Sequence, residues 1–202
     1  MTGIVALTKA GGWRDLPLAA VPIIFSLQQI IEGLLWLNLP LAPSNAASTN
    51  LTHLYLLLAE VLWPIYAPIA VLLVEPSARR RQLMLICLAA GICAGAYLLW
   101  WILARPHSAV IRDGHIVYTV IHGHSAIVAL GYFVATVVPL LLSSRRTLVV
   151  LGAIMFAGYA VSYLFYREAF VSVWCYFAAA ASVVILGHFE LARRQRLRMS
   201  DA

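Results

Sequence analysis

The sequence predicts an all-α fold, a polytopic transmembrane helical bundle of six spans with a small outer flap or hairpin between spans three and four. Three observations carry that expectation. Hydrophobic residues make up 63% of the 202 positions and charged residues 11%, where soluble domains run near ~45–50% and ~25%. A soluble globule of this size needs far more polar surface, so a soluble enzyme, a disordered chain and a nucleic-acid binder are excluded together. Second, the apolar residues gather in runs of about the 20 that a helix needs to cross a hydrocarbon core of about 30 Å. Third, the basic residues sit in short clusters between those runs, which makes the net charge of +6 a topology signal.

The runs fall at residues 16–39, 53–74, 83–104, 123–142, 147–166 and 170–191. They are too continuous for the alternating strands of a membrane barrel, and helices satisfy the backbone within the segment. Residues 1–13 hold only a short apolar run and no cleavage-like site, so no secretory signal is expected. With the N-terminus in the cytoplasm, the inner segments hold Lys9, Arg14, Arg79, Arg80, Arg81, Arg145, Arg146, Arg193, Arg194, Arg196 and Arg198. These eleven stand against Arg105, Arg112 and Arg167 outside. The alternation obeys the positive-inside rule at every loop and places both termini in the cytoplasm. Residues 192–202 form a basic tail suited to topology and to anionic lipid.

Between the third and fourth runs lies the longest outer connection, residues 105–122. There Asp113-Gly114 separates two short apolar stretches, a hairpin signal, and the segment reads as a flap over the outer mouth or as a surface loop with strand propensity. Cys87, Cys93 and Cys175 fall inside spans, so no disulfide framework is expected. Asn50-Leu51-Thr52 matches a glycosylation sequon, a triplet common by chance. Gly91-x-x-x-Gly95 allows close helix packing, and Trp100 and Trp101 read as belt residues at the outer interface.

Several runs resemble a bacterial family of integral membrane proteins catalogued as a domain of unknown function. They are Leu27-Gln28-Gln29-Ile30-Ile31-Glu32-Gly33-Leu34-Leu35-Trp36, then Ala59-Glu60-Val61-Leu62-Trp63-Pro64, and Ser172-Val173-Trp174-Cys175-Tyr176-Phe177-Ala178-Ala179. The similarity extends over the chain, including Pro139 and Ser143-Ser144. Members commonly open with Met-Cys-Phe-Ser-Ala and an extra apolar helix. This chain lacks that opening, and residues 3–10 look like the tail of the missing helix. A full-length relative would then have seven spans with its N-terminus outside. The resemblance implies a bacterial cytoplasmic (inner) membrane and a fold, but no activity.

Function is therefore read from the polar groups. Ionisable residues within spans cost about 2.5–3.5 kcal/mol each on insertion scales and are functional candidates by default. Glu32 lies about seven residues, roughly 10 Å, below the outer end of the first span. Glu60 reaches nearly the same depth in the second, which runs the opposite way. Gln28, Gln29, Glu32 and Trp36 share a helical face by their spacing. Pro64 cannot donate to the Glu60 carbonyl, nor Pro68 to that of Pro64, and freed carbonyls in a membrane find water, side chains or ions. A proton, shared by the two carboxylates, or a hard cation would suit such a level. The bland alternative is a kinked helix whose Glu serves as interhelical glue.

Other outer ends add to the same level. Ser172, Cys175, Ala179 and Ser182 form a small and polar stripe. Tyr159 and Tyr163 approach the outer end of the fifth span, while Trp63 and Trp174 either line a pocket or pack in the core. The expected pocket thus comprises Glu32, Glu60, Gln28, Gln29, Trp36, Trp63, Pro64, Tyr159, Tyr163, Ser172, Trp174 and Cys175. His53, His122 and His124 are candidate metal ligands for zinc or copper, although His122 and His124, two apart, diverge on a regular helix. Retinal is excluded because Lys9 is the only lysine, and bis-histidine haem finds no facing pair within spans.

The favoured reading is an outward-facing pocket that binds or moves a small ligand, cation or proton. The alternatives are a metal-dependent membrane enzyme with outer histidines and a carboxylate base, or a non-catalytic membrane subunit. No catalytic residue is assigned, and a metal ion stays open as cofactor. The expected partners are the lipid bilayer and an unidentified small ligand or ion, without nucleic acid; a homo-oligomer is left open.

Overall fold

The computed structural model describes residues 6–7, 12–119 and 126–200, Thr119 and the segment 192–200 by their backbone alone. Among them six helices follow one another: α1 (Trp13–Asn38), α2 (Ala46–Val74), α3 (Ala78–Ala104), α4 (Ala126–Leu142), α5 (Arg146–Phe165) and α6 (Phe170–Ala181, continued as Val183–Ser200). Two strands, β1 (Ser108–Arg112) and β2 (His115–Thr119), stand between α3 and α4. Five of the helices are long and apolar enough to cross a membrane, and α4 is a shorter apolar helix. A chain built this way associates with membranes.

Local chemistry explains the boundaries. The Asn45 side chain accepts a hydrogen bond from the Ser48 amide at 2.7 Å, an N-cap that starts α2 at Ala46, well before the apolar run at residue 53. The sequon at Asn50 consequently lies within a helix. Ser77 caps α3 in the same manner, 3.5 Å from the Arg80 amide, so Arg79–Arg81 form its first turns. In α4 the helix breaks at Val137 and resumes as Val138–Leu142, where Pro139 supplies no amide hydrogen.

Within α2, residues Leu57–Leu62 form a π-helical segment just before Pro64. Widening the turn is one way to accommodate a residue that cannot donate to the carbonyl four positions back. Against this segment packs the glycine stripe of α3. Gly91 lies so close to α2 that a Cβ there would overlap the Pro64 carbonyl oxygen, and a Cβ at Gly95 would stand 3.3 Å from the carbonyl of Val61. The small residues thus let α3 approach the irregular stretch of backbone closely.

The strands pair antiparallel from Ser108↔Thr119 to Arg112↔His115. Asp113 (φ 49°) and Gly114 (φ 73°) both adopt left-handed conformations, the requirement of the type I′ turn that suits a two-residue hairpin. The hairpin packs inward: Ile116 and Tyr118 join Leu35, Tyr55, Leu56, Ala59 and Trp101 in one apolar cluster. Trp101 therefore belongs to the interior rather than to an interfacial belt, whereas Trp100 is exposed. A second cluster, containing Leu18, Phe25, Trp63, Val71, Leu140, Leu151 and Ile185, fills the other half of the bundle.

At the far end the linker after α2 is tied to the linker after α4. Glu75 accepts hydrogen bonds from the Ser77 amide (3.1 Å), the Ser143 hydroxyl (3.2 Å), and the Ser144 amide (2.8 Å) and hydroxyl (2.5 Å). Arg145 Nε donates to the Val74 carbonyl at 3.1 Å and Arg80 to that of Leu142 at 2.8 Å. Burial alone would raise the Glu75 carboxyl, but these donors outweigh it and hold it below the ordinary carboxylate range.

Candidate functional site

The polar residues of α1 and α2 lie at the seam between the two apolar clusters. Positions Val21, Phe25, Gln28, Glu32 and Leu35 of α1 are buried, the three-and-four spacing of one helical face. Gln28 is fully buried and its Oε1 accepts a 2.7 Å hydrogen bond from Trp63 Nε1. Trp63 in turn stacks on Phe25 with ring centroids 3.9 Å apart. Gln29 Nε2 donates to Glu32 Oε2 at 3.0 Å, and the Tyr118 hydroxyl lies 3.5 Å from Oε1. The hydroxyls of Ser172 and Tyr55 also adjoin this carboxylate. Tyr118, parallel to Tyr55 at 4.6 Å between centroids, is pushed well above the ordinary phenol range by burial and then by its neighbours, Glu32 among them. It is a neutral donor beside Glu32.

Glu60 is placed differently. It sits in the π-helical segment of α2, 5% exposed, and its Oε2 has no hydrogen-bond partner among the described residues. The neighbouring Ala59 carbonyl is taken by the Tyr132 hydroxyl of α4 at 2.5 Å. Glu32 and Glu60 share no hydrogen bond among the described residues; Cys175 lies within electrostatic reach of both. The two carboxylates thus meet different groups, Gln29 and Tyr118 at Glu32 and the pocket at Glu60.

Glu60 lines a pocket of about 380 Å³. Its walls come from Tyr118 of the hairpin, Tyr132 of α4, Tyr159 and Tyr163 of α5, and Phe170, Trp174 and Cys175 of α6, with Arg167 and Glu168 at the α5–α6 connection. The rings brace one another. Trp174 is edge-on to Tyr132 and Tyr159, 5.4 Å from each, and 5.7 Å from Phe170. At the connection, Glu168 pairs with Arg112 of the hairpin turn at 3.0 Å. Arg167 stands 5.2 Å from the Tyr163 ring. Tyr132, Trp174 and Cys175 also bound a deeper cavity of about 60 Å³, whose lining is otherwise nearly all apolar.

Two buried polar atoms on residues that line the larger pocket, Glu60 Oε2 and Trp174 Nε1, meet no hydrogen-bond partner among the described residues. Each such atom costs about 1–3 kcal/mol, and native interiors carry few of them. Two of them on the lining of one pocket single it out chemically. The arrangement offers one acidic acceptor, several ring faces and edges, and an indole donor.

The remaining predicted residues are placed as follows. Trp36 is 39% exposed and lines neither cavity, because it follows Leu35 onto the outer side of α1. Pro64 is buried with its carbonyl against Gly91. His53 Nδ1 lies 3.0 Å from the Thr49 carbonyl, and its ring is 5.9 Å from that of His107. His122 and His124 lie outside the described residues. Among the described residues no three His, Cys, Asp or Glu side chains converge on a metal position. Burial, then the neighbouring His53, lowers the His107 imidazole below its ordinary value.

A model described as "Family of unknown function (DUF6629)" matches residues 1–201. The chain belongs to that family. No curated protein and no solved structure matches it.

In this DUF6629 chain several pocket residues escape a reading by sequence. Tyr118 lies on a strand whose docking depends on tertiary packing, and Phe170 looks like any apolar helix start. Tyr132 carries a usable signal, since a phenol inside an apolar run needs a partner for its hydroxyl. By sequence Glu75 is only a loop carboxylate, and the fold brings the serines of a distant linker onto it.

Proposed function

We propose that the chain is a multi-pass membrane protein that holds a small ligand in a pocket open to the outer side, with Glu60 as the charged group that meets it. The observation that carries this is a cavity of about 380 Å³ lined by Glu60, a buried carboxylate with an oxygen that meets no donor among the described residues. A carboxylate held without a partner among apolar groups is costly. Its position in a π-helical segment supports the same reading, since such segments recur at functional sites. The volume falls within the range of small-molecule pockets.

Six spans with both termini cytoplasmic follow from the eleven-to-three distribution of basic residues. That topology puts the hairpin, the α5–α6 connection and the pocket mouth outside. The bacterial cytoplasmic membrane is carried over from the family resemblance. Binding has more support than passage: the deeper cavity is small and apolar, and the far end is tied by Glu75 and its serines. Glu32, already met by Gln29 and Tyr118, serves to join α1 to the hairpin. The metal-enzyme alternative has no converging triad of ligands among the described residues to support it.

Two measurements test the reading. A thermal-shift panel of small cations, anions and neutral molecules is run on the detergent-purified chain and on Ala129→Trp, which fills the pocket. A stabilising compound whose shift vanishes in the variant supports the pocket; no response from any class in folded wild type overturns it. For sidedness, Tyr163→Cys is made with Cys87, Cys93 and Cys175 changed to Ser. A membrane-impermeant maleimide should label it on intact cells, and labelling only in inverted vesicles contradicts the outward mouth.

A further inference from the structure

We infer that the ligand class is an organic ammonium, a tertiary or quaternary amine carrying apolar substituents, with its charge at Glu60 and its alkyl groups against the Tyr132–Tyr159–Trp174 rings. This rests on the ligand-pocket reading and narrows it.

Charge comes first. The acid within the pocket is Glu60, whose Oε2 is buried and meets no partner among the described residues, while the other two charged lining residues make contacts at the connection. Glu168 is taken by Arg112, and Arg167 lies beside Tyr163. The pocket therefore presents acceptor capacity at Glu60, which suits a cation, while the Arg167 charge stands at the α5–α6 connection.

The walls then select among cations. A hard metal ion needs several oxygens, and here the Ala59 carbonyl is occupied by Tyr132 while no converging set of metal-binding side chains exists among the described residues. Aromatic rings, by contrast, attract a cation through their negative faces, best when its charge is spread over alkyl groups that shed water easily. Trp174, held edge-on to Tyr132 and Tyr159 at 5.4 Å, keeps these rings at fixed mutual angles. A pocket of about 380 Å³ exceeds the need of a bare ion and fits a small organic molecule.

The same ammonium chemistry could arrive free or as a lipid headgroup. The test is calorimetric titration of the full chain in dodecyl maltoside with choline, with its uncharged isostere 3,3-dimethylbutan-1-ol, and with short-chain phosphatidylcholine. Choline should bind at least about tenfold more tightly than the isostere. Glu60→Gln and Trp174→Leu should each weaken choline at least tenfold, while both variants keep a wild-type helical spectrum; should Trp174→Leu fail to fold, Tyr159→Leu replaces it. Phosphatidylcholine that displaces choline makes the headgroup the source; choline binding without displacement makes it a soluble amine, and either supports the class. An isostere that binds as tightly as choline, with Glu60→Gln unchanged, overturns the ammonium inference and leaves the pocket standing. Absence of binding by every probe to folded wild type overturns the inference, and together with a silent thermal-shift panel it overturns the pocket as well.

Discussion

Glu75 and Glu60 belong to the same stretch of chain and are buried alike, 4% and 5% exposed, yet their surroundings are opposite. Glu75 receives four hydrogen bonds from Ser77, Ser143 and Ser144 and ties two linkers together. Glu60 has an oxygen that meets no donor among the described residues, and the residue lines a cavity framed by rings. Burial alone does not tell what a carboxylate is for. A carboxylate surrounded by donors is already used by the fold, and one facing a cavity without them has capacity left for something from outside. Glu32 stands between the two, with Gln29 on one oxygen and a long contact to Tyr118 on the other.

Several substitutions break or sharpen that contrast. The largest effect is expected from Gly91→Ala, whose Cβ would overlap the Pro64 carbonyl and force α3 away from the π-helical segment. Overpacking of this kind costs about 3 kcal/mol or more, so the yield of folded, detergent-extracted protein should collapse. Glu75→Gln removes the charge from the far-end tie and should cost about 2 kcal/mol. The pH dependence carries its own sign. Because the folded Glu75 carboxyl titrates below the ordinary range, its contribution is complete above that range and is lost as pH falls through the lowered value. Melting curves followed downward from neutral pH should therefore show an acid-side loss of stability that is smaller in Glu75→Gln. A smaller effect, about 0.6–1 kcal/mol, is expected from Tyr132→Phe, which frees the Ala59 carbonyl while keeping the ring on the pocket wall. Differential scanning calorimetry in detergent resolves it.

Much of the fold is legible in the sequence and less of the site. Apolar runs locate the helices because backbone groups in lipid leave few other solutions, and Asp113-Gly114 announces its turn because both positions need positive φ. The start of α2 is missed by the apolar pattern, since Asn45 and Ser48 set it by capping rather than by hydrophobicity. Gly91 and Gly95 are readable as a packing stripe, but not that they meet the carbonyls of Pro64 and Val61. In the site, spacing recovers the buried face of α1 as far as Gln28 and Glu32 and errs by one position at Trp36, where a 3.6-residue period and a broad stripe diverge. The aromatic walls assemble from three helices and a hairpin, a juxtaposition that no single segment encodes.

The most direct test of the central contrast is the melting temperature of Glu60→Gln set beside that of Glu75→Gln, both measured without added ligand in the same detergent. If Glu60 is held for a ligand rather than for the fold, Glu60→Gln melts at or above the wild-type temperature, and Glu75→Gln melts clearly below it. A Glu60→Gln protein destabilised as much as Glu75→Gln would contradict the account and make Glu60 one more structural contact.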